Sequence, residues 1–269
     1  MIDRTLARFL SSALLLALAA HHPVARAQDG REHTAVTKSL GLAALQAPAF
    51  WGDDQSESAL LPDLRIAKEG AWAFSFAEGL TVSLARRDNL STGLLIQYDL
   101  GRDDDAGDEN DLVGLDDVDG TLELGGYVNY ALGPLEASMA LVKGLGGGHS
   151  GIRGSASIQM RSAFTARTRP VFVSVGPTLS FGDGALHDAY FAVSAAQASA
   201  TGLSPYTAAG GVSSHGLAAS VIAPLSERYT ATAFVQAERL SGPLADASIV
   251  RDRGDRNQFT VAFALYVAF

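Results

Sequence analysis

The sequence predicts an all-β protein, a transmembrane antiparallel up-and-down β-barrel of about twelve strands after a cleaved signal peptide. Three observations carry that reading. Apolar side chains recur at every second position through most of the chain, and period two is the signature of strands. Several of these stretches run roughly 11–17 residues, against five or six in ordinary soluble sheets and the 9–11 a tilted membrane strand needs. Beyond the N-terminus no run of ~18 apolar residues exists, so no helix is expected to cross a bilayer. A sheet in lipid must close on itself, because an open edge leaves backbone N–H and C=O groups without partners.

The N-terminus reads as an export signal. Arg4 and Arg8 precede an apolar stretch from Phe9 to Ala20, and Ala25-Arg26-Ala27 has the small-x-small form of a cleavage site. The apolar stretch is about 12 residues, too short for the roughly 20 of a membrane helix. Residues 1–27 are therefore expected to be removed, leaving 28–269 as one barrel domain. Cleavage takes three Arg and one Asp, so 20 basic and 29 acidic residues become 17 and 28, and the net charge moves from −9 to −11. So acidic a chain does not suit nucleic acid. The absence of Cys excludes disulfides and thiol chemistry in an exported protein.

The alternation is clearest at the C-terminus. Phe259, Val261, Phe263, Leu265, Val267 and Phe269 share one face, and Thr260, Ala262, Ala264, Tyr266 and Ala268 share the other. Similar patterns place strands at 36–45, 71–77, 80–86, 92–100, 121–131, 134–142, 151–163, 170–181, 186–195, 207–223, 228–240 and 257–269. Phe172 and Phe234 interrupt otherwise small or polar faces. Tyr98, Tyr130, Phe164, Phe181, Tyr206, Tyr229, Phe259 and Phe269 stand near strand ends, as interfacial girdles require. An even count puts both termini in the periplasm, with 46–70, 87–91, 132–133, 164–169, 196–206 and 241–256 outside. The acidic segment 102–119 then falls on the periplasmic side, although long loops normally face outward. Either an early strand is miscounted or this barrel has a long periplasmic loop; both readings stand open.

The chemistry-bearing residues are few. Asp103, Asp104, Asp105, Asp108, Glu109, Asp111, Asp116 and Asp117 crowd one loop. Their spacing does not fit an EF-hand, and a solvated loop or a docking surface for a basic partner is expected. Gly144 to Gly148 reads as a turn, since the Lys-Ser/Thr ending of a phosphate cradle is absent. Ser213 and His215 share a strand face about 7 Å apart, too far for a ready dyad, and His187-Asp188 point to opposite faces. Gln97, Asp99, Glu123, Arg153, Gln159, Arg161, Gln236 and Glu238 fall on inward faces, giving a mixed polar lumen. At twelve strands that lumen is expected to be narrow or plugged. No catalytic, cofactor or metal set is expected.

Three segments carry a family resemblance, and two of them lie before Val212. They are Gly114-Leu115-Asp116-Asp117-Val118-Asp119-Gly120 running into Thr121–Tyr127, and Asp188-Ala189-Tyr190-Phe191-Ala192-Val193 with Ser204–Gly211. A third, the most specific, is Arg239-Leu240 with Ala245–Val250 and the ending Phe259–Phe269. Together they resemble the MipA/OmpV family. Two departures are visible: Ala247 precedes Ser248-Ile249 without the family's usual Pro, and the chain ends Tyr266-Val267-Ala268-Phe269. The resemblance implies residence in the bacterial outer membrane, in contact with its lipid, without enzymatic activity. It implies a scaffold that links periplasmic murein enzymes to that membrane, with a porin-like small-solute channel as the alternative and a barrel enzyme as a weaker one. Tyr266 and Phe269 resemble the terminal signal read by the barrel-assembly machinery. Phe269→Ser is therefore expected to lower the amount of folded barrel in the outer membrane, read as heat-modifiable mobility in gels of membrane fractions; wild-type levels would overturn the signal.

Overall fold

The structure, a computed structural model, describes residues 36–104 and 112–269. The proposed signal peptide lies outside the described residues, as do Asp105, Asp108, Glu109 and Asp111. Twelve strands form one closed barrel. They are β1 (Val36–Pro48), β2 (Ser56–Lys68), β3 (Trp72–Ser75), β4 (Gly79–Arg87), β5 (Leu90–Asp99), β6 (Thr121–Leu132), β7 (Leu135–Gly144), β8 (Ile152–Ala166), β9 (Arg169–Gly182), β10 (Gly211–Pro224), β11 (Tyr229–Leu240) and β12 (Asn257–Ala268). Each strand pairs antiparallel with its sequence neighbours, and β1 closes on β12 with Ser39–Gln46 against Val261–Ala268.

Alternation sorts the side chains as a lipid environment demands. Leu42, Leu60, Met160, Val175, Leu217 and Phe263 are exposed on the outer wall. A belt this apolar on a water-soluble protein would be an aggregation surface; around a barrel it is the lipid contact. Tyr130, Phe164, Tyr229 and Phe269 point outward near one end, and Tyr98 and Phe259 near the other. These are the two girdles. Tyr206 is not part of either. It lies in the long β9–β10 connection, where its hydroxyl donates to the Pro243 carbonyl at 2.5 Å.

The twelve strands are not all those the alternation marked. Segment 46–70 was expected to be a loop, yet it contains β2. Pro62 and the charges of Asp63 and Arg65 obscured the strand. Pro62 survives because β3 pairs only with Arg65–Lys68, leaving β2 bonded to β1 alone at residue 62. Asp63 and Arg65 point inward, where Asp63 accepts from Arg65 Nε at 2.7 Å, from Tyr266 Oη at 2.9 Å and from the Ala77 N–H at 3.3 Å. Conversely, 186–195 is not a strand. Asp183 accepts from the Leu186 N–H at 2.9 Å and caps a helix, α1 (Gly184–Phe191). A capping box of Ser194 and Gln197 starts α2 (Ala195–Thr201).

One strand gained and one lost leave the count at twelve but reverse the sides between them. The turns 69–71, 88–89, 133–134, 167–168 and 225–228 gather with both termini at one end, here the turn end. The segments 49–55, 100–104, 112–120, 145–151, 183–210 and 241–256 gather at the other, the loop end. The acidic segment and Gly144 to Gly148 thus belong to the loop end, opposite the termini; of the two readings left open for the acidic segment, the pairing supports a miscounted early strand. Every long connection now lies on one side, as the class requires.

The loops fold into a cap. It comprises α1, α2, α3 (Gly242–Asp246) and α4 (Ser248–Arg253). Leu186, Phe191, Leu240, Leu244 and Val250 form one buried cluster there, and Phe50, Leu112, Leu115, Val193, Leu203 and Ile249 form a second. Inside the wall, inward Leu45, Leu61, Ala218, Phe234 and Ala262 make a third. Phe234 is thus not misplaced on its small-residue face; it fills the lumen between β11 and the β1–β2 wall. Phe263 stands mid-strand on the outside at 60 % exposure. Phe263→Lys is expected to cost about 2–4 kcal/mol of folding free energy in lipid, measured by urea titration in bilayer vesicles. An indistinguishable midpoint would contradict a lipid-facing position.

Candidate functional site

The inward polar residues divide into levels. Nearest the loop end, Asp99 at the end of β5, Glu123 on β6 and Arg153 on β8 meet beneath the cap. Arg153 donates through Nη2 to Asp99 and through Nε to Glu123 Oε1 at 3.3 Å. Gln97 Nε2 donates to Glu123 Oε2 at 2.6 Å. Tyr190 of α1 reaches down and donates from Oη to Asp99 Oδ1 at 2.7 Å. Burial and the Asp99 carboxylate hold the Tyr190 phenol well above its usual range, so it remains a donor. From the β7–β8 loop, His149 places Nε2 at 3.3 Å from Glu123 Oε1 and 3.8 Å from Asp99 Oδ2. Glu123 has no exposed surface.

The cap rests directly on this network. Trp51 meets the rings of Phe191, Tyr190 and His187 edge-on at 5.5, 6.4 and 6.4 Å, and the Arg153 guanidinium lies 5.8 Å from the centre of its ring. Arg102 Nη1 donates to the Tyr190 carbonyl at 2.5 Å. Glycine makes one of these approaches possible: a Cβ at Gly144 would stand 2.6 Å from the His149 ring.

Lower in the barrel, Glu136 and Arg161 form an ion pair at 2.5 Å, and Gln159 Nε2 donates to the Gly176 carbonyl at 3.4 Å. On the opposite wall Gln236 is buried, and Glu238 accepts from Ser214 Oγ at 2.5 Å. The eight lumen positions read from the alternation all lie on inward faces. The structure joins Gln97, Asp99, Glu123 and Arg153 into one network, Arg161 pairs with Glu136, and the remaining three stand apart. Tyr266 faces inward onto Asp63, while Phe269 is 73 % exposed and its N–H donates to the Lys38 carbonyl at 3.1 Å.

The acidic segment is partly organised by the cap. The Asp104 N–H donates to Asp117 Oδ1 at 2.7 Å, and Gln197 Nε2 donates to Asp116 Oδ2 at 3.0 Å. Asp103 is partly exposed beside them.

Ser213 and His215 do not share a face. A bulge between Val212 and Ser214 inserts an extra residue, so Ser213 and Ser214 are both buried while His215 points out. Strict period two could not show this. Ser213 Oγ instead lies 2.8 Å from His187 Nε2, and His187 Nδ1 lies 2.8 Å from the Ala209 carbonyl. The arrangement fits Nδ1–H donating to Ala209 and Ser213 donating to Nε2. Both side chains have no exposed surface, so no substrate reaches the hydroxyl, and the pair pins α1 to β10.

The MltA-interacting protein MipA family matches residues 40–269. The chain belongs to that family. No curated protein sequence matches it. Among solved structures, the COG4313 outer membrane channel from Pseudomonas putida F1 resembles this member at 11 % identity and TM-score 0.38, over 90 % of this chain and 99 % of that one. Pseudomonas putida OprB does so at 9 % and 0.40, over 79 % and 59 %. CdiB from Acinetobacter baumannii does so at 8 % and 0.36, over 86 % and 60 %, so the chain spans less than two thirds of the latter two. Likenesses this distant say nothing of function.

Burial lowers the His187 pKa below its ordinary value. The unfolded chain then binds the extra proton first, so the docking of α1 is fully stable above the unfolded pKa, about 6.5, and weakens as pH falls through it. Limited proteolysis of the 183–210 connection is expected to quicken on acidification below about 6.5 in the wild type, and to lose much of that dependence in His187→Gln. An unchanged pH profile in the variant would assign the effect elsewhere.

Proposed function

We propose that this MipA-family barrel is a sealed, non-enzymatic interaction protein of the bacterial outer membrane, anchoring a periplasmic murein-processing partner. The observation that carries the reading is the complete burial of Glu123, held beneath the cap by Arg153, Gln97 and His149. A conducting lumen would hydrate these groups; here protein groups surround them and apolar cap residues lie above. The family is named for interaction with MltA, and the family resemblance implies a murein-processing partner.

The docking surface in this reading lies at the turn end. With the termini and short turns taken as periplasmic, the described acidic residues Asp103, Asp104, Asp116 and Asp117 face outside and do not meet a periplasmic enzyme. The turn end does. It exposes Lys38, Arg86, Arg87, Arg167 and Arg228, against the acidic Glu69, Asp88 and Glu227. A surface of that balance suits an acidic partner face.

Two measurements test the proposal. In planar bilayers the purified protein is expected to show no steady ion current, and a variant with residues 185–209 replaced by a short linker is expected to conduct. Steady steps from the intact protein would favour the channel reading. Capture of a purified murein transglycosylase by the detergent-solubilised barrel is expected to fall at least tenfold, about 1.4 kcal/mol, when Arg86, Arg87 and Arg167 become Glu. It is expected to persist when residues 103–117 are deleted. The reverse pattern would return docking to the acidic segment.

A further inference from the structure

Below the buried network the lumen opens into a cavity of about 170 Å³ between β4 and β8. It starts at mid-barrel near Leu95 and Tyr127 and reaches the turn end at Gly70 and Arg86. At ~30 Å³ per water this is room for about five or six waters, the bulk of one sugar ring.

Its wall has a distinct chemistry. Asn129, Ser155 and Ser157 line it, and among the described residues their side chains make no hydrogen bond to the rest of the chain. Ser155 is only 5 % exposed. These groups face the cavity, so they are free to bond to water or to a ligand that displaces it. Hydroxyl and amide groups can both donate and accept. The complement of such a lining is a ligand whose groups also do both. Tyr127 contributes an aromatic surface, and Glu136 with Arg161 an ion pair. A pocket with an apolar wall and a few convergent polar groups is the usual form of a small-molecule site.

We propose that this cavity binds a single monosaccharide unit through its hydroxyls, entered from the turn end, with the ring against Tyr127 and hydroxyls on Asn129, Ser155 and Ser157. The unit is either a free sugar or the terminal residue of a glycan. This goes beyond the sealed-barrel reading and does not depend on the protein partner, because the cavity lies on the turn side of the seal.

Isothermal titration of the full-length barrel in detergent tests it, with glucose, glucuronate and maltotriose as probes. Saturable binding of glucose at millimolar concentration is expected, weakened at least tenfold by Asn129→Leu with Ser155→Val. The single Ser157→Ala, a milder change, is expected to weaken it measurably while leaving heat-modifiable mobility intact. Maltotriose binding as well as glucose supports entry of a chain end, and glucose alone supports a free sugar. Binding of glucuronate only, lost on Arg86→Ala, would overturn the proposal in favour of an anion site. Absence of saturable heat with all three probes, or equal affinity in the folded Ser157→Ala and double variants, would also overturn it.

Discussion

Arg153 between Asp99 and Glu123 is the contact on which the loop end depends. A barrel in lipid turns its polar residues inward, and each must then find a partner there. Water could serve in a wide pore. In this barrel Arg153 neutralises two carboxylates from neighbouring strands, while Gln97 and Tyr190 take further oxygens. Removing one partner of such a buried set typically costs about 3–5 kcal/mol, because the remaining charge is stranded. The network joins β5, β6 and β8 to the β7–β8 loop and to α1, so wall and cap hold one another in place.

The cap is an extension of the lumen's packing. Trp51 follows β1, Tyr190 and Phe191 come from α1, and Leu244 and Val250 come from the segment before β12. Connections distant in sequence supply one apolar layer over one ionic layer. The acidic segment shares in it at its edges through Leu112, Leu115 and Val118, which are buried, while Asp116 and Asp117 bond within the loops. A run of carboxylates reads as a solvated loop; the apolar residues spaced among them are what dock it.

The two strand errors share a physical cause. Local pattern reports which face a side chain prefers, and a strand whose inward face carries Asp63 and Arg65 looks like a loop until their partners are known. Tyr266 and Glu78, which complete that cluster, lie far along the chain or across a turn. Residues 186–195 alternate well enough to pass as a strand, yet Asp183 caps a helix three residues before Leu186, a local signal that could have been used. The two errors cancelled in number and reversed the ends only of the connections between them, which is why the side of the acidic segment stayed open. The bulge at Ser213 is a smaller case of the same kind: one extra residue moved a hydroxyl from the face of His215 to His187.

By itself the sequence determined the barrel, its lipid face, the inward set from Gln97 to Glu238 and the family, because all of these follow from side-chain alternation and short local motifs. Tertiary structure alone decided which end each loop occupies, that the loops pack as a cap at one end of the barrel, that Ser213 meets His187, and that a cavity lies between β4 and β8. Each of those depends on pairings across the barrel, between residues that no sequence period brings together.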